Sequence, residues 1–79
     1  MITREQCRGA RAMLGWSRED LAEAARVGHR TIVDFERGAR QPYERTVRDL
    51  QTALEAGGIE FLIPDHDKGP GLRLNRLVE

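Results

Sequence analysis

The stretch from Ser17 to Gly38, SREDLAEAARVGHRTIVDFERG, constrains the fold more than any other part of the chain, because it encodes two short helices joined by a tight turn. Ser17 offers a hydroxyl that accepts from a free N–H of the first helical turn, and Arg18, Glu19 and Asp20 lead into apolar positions at Leu21, Ala24 and Ala25. Asp20 stands at capping-box spacing from Ser17, with a shorter reach than Glu or Gln. Arg26, Val27 and Gly28 form the turn. A second helix is predicted over His29 to Arg37, with Ile32 and Phe35 inward and Gly38 supplying the left-handed residue that ends it. Ala22 is small where the two helices cross. An ordinary pair of packed helices in another bundle is the alternative. The helix-turn-helix reading rests on cap, small residue, turn valine, inward isoleucine and terminal glycine as a set, since each alone is weak.

The flanking segments complete a small bundle. Thr3 and Gln6 have capping-box spacing ahead of Cys7, Ala10 and Leu14, so a first helix is expected over about residues 4 to 14, ended by Gly15. Trp16 is expected in the core between the first two helices rather than stacked on a base. Ala39 to Gln41 read as a loop, and Pro42 suits a first helical position. Val47, Leu50 and Leu54 give the next helix its inward face, stopped by Gly57 and Gly58. Beyond them the period becomes alternating: Ile59, Phe61 and Ile63, then a Pro- and Gly-rich loop, then Leu72 and Leu74. The fold class expected is mainly α, a helix-turn-helix bundle of about four helices with a C-terminal β-hairpin. The domain division expected is 1–57 for the bundle and 58–79 for the hairpin tail. An isolated hairpin is marginal in water, so the tail must pack on the bundle or pair with another chain.

Composition sets further bounds. A 79-residue chain builds one small core, to which dimerisation would be a useful supplement. The single cysteine, Cys7, excludes an internal disulfide and reads as a buried small hydrophobe, with a reactive thiol as the alternative. No apolar run approaches the length of a membrane span or signal-peptide core, so the expected location is cytoplasmic, with no membrane partner. Formal net charge is zero, yet residues 1–48 hold ten bases against seven acids while residues 49–79 hold three against six. That asymmetry suits a basic part facing an anionic partner and an acidic remainder facing away. Asp65-His66-Asp67 point in different directions from a Pro/Gly loop and lack further ligands. Without a Gly-rich phosphate loop or an HExxH helix, neither enzymatic activity nor a metal or cofactor is expected.

Residues 3–56 resemble the lambda-repressor-like, or XRE, family of DNA-binding domains. The resemblance rests on Leu14-Gly15-Trp16-Ser17, Asp20-Leu21-Ala22, Arg30-Thr31-Ile32, Phe35-Glu36-Arg37-Gly38, and Pro42 with Thr46, Val47 and Leu50. It implies that the second motif helix lies in the major groove with His29, Arg30, Val33 and Asp34 touching base edges. Arg18, Thr31, Arg37, Arg40 and Tyr43 are the expected phosphate contacts around them. The family pattern also implies a pair between Arg11 on the first helix and Glu36 near the end of the recognition helix, with two solvated charges as the alternative. Two positions depart from that pattern: Arg26 stands where relatives usually have Gly, and Gly28 where they usually have a Ser cap.

These features imply a homodimeric, sequence-specific transcriptional regulator that occupies a pseudo-palindromic site on double-stranded DNA. An antitoxin that neutralises a partner toxin protein and regulates its own synthesis through DNA is the runner-up, and a protein-interaction module without DNA binding is a third reading. The dimer is expected to form through the tail, where Ile59, Phe61, Ile63, Leu72 and Leu74 make an apolar face on two strands with an open edge. The alternative is a hairpin folded back on its own bundle, with dimerisation elsewhere.

Overall fold

A computed structural model describes residues 1–75. Residues 76–79 of the expected tail lie outside the described residues. Helices α1 (Arg4–Leu14), α2 (Arg18–Ala25), α3 (His29–Arg37) and α4 (Glu44–Ala56) precede strands β1 (Ile59–Leu62) and β2 (Gly71–Leu74). The architecture is therefore mainly helical, with a two-stranded antiparallel sheet at the C-terminal end.

Local chemistry explains the boundaries. Thr3 Oγ1 accepts from Gln6 N–H at 3.0 Å while Gln6 Oε1 accepts from Thr3 N–H at 2.9 Å, closing a full capping box on α1. Ser17 and Asp20 make the same reciprocal pair on α2, at 3.0 and 2.9 Å, so the shorter Asp side chain still reaches back. Left-handed Gly15 and Gly38 end α1 and α3. The start of α4 corrects the expectation for Pro42: the N-cap is Tyr43, with extended backbone, and its carbonyl accepts from Thr46 and Val47 N–H. Pro42 thus precedes the helix, its fixed φ serving the extended approach.

All four helices and β1 contribute to one core, and β2 packs against it. Cys7 and Ala10 from α1, Leu21 from α2, Ile32 and Phe35 from α3, Val47, Leu50 and Leu54 from α4, and Ile59 from β1 form a single buried cluster. Ala24, expected on the inward stripe of α2, is exposed, and that helix packs through Leu21 with Ala22 and Ala25 partly buried beside it. Gly57 sits where a Cβ would come within 2.9 Å of both Leu14 and Trp16. Trp16 accordingly covers the end of α4 as well as joining α1 to α2.

The hairpin folds back on this bundle. Ile59 pairs with Leu74 and Phe61 with Leu72 across the ladder. Ile59 is only 1% exposed, and Phe61, Leu72 and Leu74 pack partly buried against the same core. Gln6 Nε2 donates to Gly71 O at 2.8 Å, and Leu72 lies over Gly9 of α1. On the outer face Arg73 reaches Glu60 through two bonds, at 3.0 and 3.2 Å. Ile63 does not continue the alternation. The ladder ends at Leu62 opposite Gly71, and Ile63, leading into Pro64, is 89% exposed. No helix among the described residues is long and apolar enough to cross a membrane.

Candidate functional site

Glu36 determines how α3 is held. Its side chain has no exposed surface, yet it is fully partnered: Arg11 donates through Nε at 2.8 Å and Nη2 at 2.9 Å, Arg18 through Nε at 3.1 Å, and the Cys7 thiol at 3.3 Å. Arg11 Nη1 also donates to Trp16 O, and Arg8 Nη1 to Glu36 O. Residues of α1, α2 and α3 thereby converge on one carboxylate. Burial pushes the Glu36 carboxyl upward, but bonds from Arg11, Cys7 and Arg18 outweigh it and hold the group below the ordinary carboxylate range. Burial and the neighbouring carboxylate push the Cys7 thiol up to about 12, so it stays protonated and unreactive at neutral pH.

With Ile32, Phe35 and Glu36 turned inward, helical spacing leaves Arg30, Val33, Asp34 and Arg37 along the opposite side of α3. Arg30 and Asp34 form an i,i+4 ion pair of 3.3 Å on this row. His29, the first residue of α3, lies 3.2 Å from Glu19 of α2. The turn beneath it is strained at one point: Arg26 adopts φ 57°, ψ 43°, the left-handed region where a Cβ is unfavourable. Gly28 caps α3 through its extended backbone without a side-chain bond.

The expected phosphate-contacting residues stand in three places. Thr31, Arg40 and Tyr43 line a cleft between α3 and the start of α4, together with Gln41, Pro42 and Thr46. Arg37 is exposed at the far end of α3. Arg18 is placed differently, with its Nε committed to Glu36 and its side chain 41% exposed. Arg4 was not legible as part of this surface. Its Nη1 donates to Arg37 O at 3.0 Å beside Gly38, where any Cβ would collide with the guanidinium, and this brings a further cation to the end of α3. Helical spacing within α1 gives no hint of that contact, which depends on how α1 crosses α3. Cys7 and Arg8 were likewise missed as partners of Glu36, although their position one turn before Arg11 is a usable signal.

Over residues 3–61 the chain matches the model of a protein family described as a helix-turn-helix domain. It belongs to that family. The match takes in α1 to α4 and runs into β1. None of the curated proteins compared with it matches the chain. The helix-turn-helix motif itself is α2, the turn at Arg26 to Gly28, and α3, so α3 stands in the position of the motif's second helix.

Proposed function

We propose that this helix-turn-helix protein is a sequence-specific transcriptional regulator that binds a pseudo-palindromic operator as a homodimer. The observation that carries the reading is the outward row of α3, where Arg30, Val33 and Asp34 stand, with the exposed His29 at its first turn, on a helix fastened from behind by the buried Glu36. A rigid helix with exposed donors and an apolar side chain can meet base edges in the major groove, while mobile groups would lose more order on binding. Thr31, Arg37, Arg40 and Tyr43 flank the row and suit phosphate contacts that set its register. Arg18, with its Nε on Glu36, would reach phosphate only through its terminal nitrogens. Pairing of two copies is assigned to the hairpin. Because Ile59, Phe61, Leu72 and Leu74 face its own bundle, pairing would use an open strand edge beside the exposed Ile63.

Selection of bound duplexes from random DNA tests the reading. The expected result is an enriched motif with two inverted half-sites about one helical turn apart. Recovered duplexes that share no motif would overturn it. Sedimentation of the protein, with Ile63→Lys beside it, tests the dimer: the parent should sediment as a dimer and the variant should shift toward monomer.

A further inference from the structure

On the outward row of α3, an ion pair joins two of the residues assigned to the base-facing surface. Arg30 Nε lies 3.3 Å from Asp34 Oδ1, and the two side chains are placed unequally: Arg30 is 80% exposed and Asp34 only 19%. The carboxylate is therefore seated against the helix while the guanidinium projects beyond it. The backbone under Asp34 is firmly held. Its carbonyl accepts from the N–H groups of Gly38, Ala39 and Arg40, which close the C-terminal turn of α3.

A carboxylate on a DNA-facing surface opposes phosphate by like charge, and an exposed i,i+4 pair adds little to helix stability. Neither binding electrostatics nor folding accounts for an acid at this position. The chemistry of arginine does. The ion-pair contact with Asp34 is made on the Nε side of the guanidinium, which leaves Nη1 and Nη2 as a two-donor fork at the outer end of the side chain, and such a fork matches O6 and N7 of guanine. Tethering it also reduces the rotamer freedom lost on binding and discourages the guanidinium from swinging to a phosphate.

We infer that Asp34 is a positioning residue that holds Arg30 for a guanine edge, so that each operator half-site carries a G·C pair opposite Arg30 and Asp34 itself reads no base. This rests on the proposed sequence-specific DNA binding by α3. The test is selection from random DNA with the parent chain, Arg30→Ala, Asp34→Ala and Asp34→Asn, followed by competition binding on the selected site and on sites altered at one base pair.

The parent should select a guanine that Arg30→Ala no longer requires. Both Asp34 variants should lose preference at that same base pair, by roughly tenfold in the affinity ratio, within what one bidentate contact supplies. Their affinity for unrelated DNA at low salt should be kept or raised, because a negative charge has been removed. A merely structural role would lower the melting temperature and leave base preference alone. Asp34→Asn keeps the side-chain size and decides the matter if Asp34→Ala fails to fold. Loss of preference at a different base pair, or no change in preference, would overturn the inference while leaving the proposed function standing. A parent chain that selects no motif at all would overturn both.

Discussion

Arg11 meets Glu36 side-on, with Nε 2.8 Å from Oε2 and Nη2 2.9 Å from Oε1, and the carboxylate between them has no exposed surface. Bidentate geometry of this kind is the strong form of the contact. It spans the helix that opens the bundle and the second helix of the motif, so the helix proposed to meet DNA is held at its back, and its opposite side carries Arg30, Val33, Asp34 and Arg37. Such a pair does not by itself imply net stability, since the cost of desolvating two charges offsets their attraction, but removing one partner leaves the other buried and uncompensated.

Arg11→Ala should therefore cost about 3 kcal/mol, the lower end for breaking a buried pair, because Arg18 still donates to Glu36. Urea denaturation measures this directly. Replacing both partners, with Arg11→Met and Glu36→Leu together, should recover much of the loss, and a double variant less stable than either single variant would contradict the mechanism.

The Glu36 carboxyl titrates below its ordinary value in the folded chain, so it binds fewer protons folded than unfolded as the solution is acidified. Its contribution to stability is full above the ordinary value of 4.5 and is lost as pH falls through the lowered folded value. Glu36→Gln should be less stable than the parent at neutral pH, and the difference should shrink steadily as the buffer is taken from about pH 5 toward pH 2. A difference independent of pH would mean that the charge on Glu36 is not what is being lost.

Much of this framework can be read in the residues. Thr3 with Gln6, Ser17 with Asp20, Gly15 and Gly38 are local signals, and where they stand α1 begins and ends, α2 begins and α3 ends. The start of α4 was displaced because Pro42 suits the approach to a helix as well as its first position. The alternation at Ile59 and Phe61 indicates a strand, but an apolar face on two strands looks the same whether a second chain or the chain's own helices cover it. The contacts of Arg4 with Arg37 and of Arg18 with Glu36 depend on how helices cross, which no local pattern encodes.

The turn carries a removable strain. Arg26 holds φ 57° with its side chain exposed and its backbone N–H donating to Ala22 O. Arg26→Gly should raise stability by roughly 0.4 to 1 kcal/mol, the relief of the left-handed conformation being partly offset by the greater freedom of Gly in the unfolded chain. A lowered denaturation midpoint would show that the Arg26 side chain contributes more than the strain it imposes.

The hairpin belongs to the core through Ile59. Ile59→Ala should cost about 2 to 4 kcal/mol, a large fraction of what a domain this size possesses, and truncation after Gly57 should abolish cooperative thermal unfolding. Calorimetry of the truncated chain decides this. A sharp transition near that of the full chain would mean that the helices alone suffice.

The central claim is that the outward row of α3 is the surface that meets DNA. Titrating isotope-labelled protein with its selected duplex, and following each backbone amide by NMR, tests it most directly. The largest shifts should fall on His29, Arg30, Val33, Asp34 and Arg37, with smaller ones at Arg40 and Tyr43. Shifts centred on the hairpin around Ile63, with α3 unchanged, would contradict it.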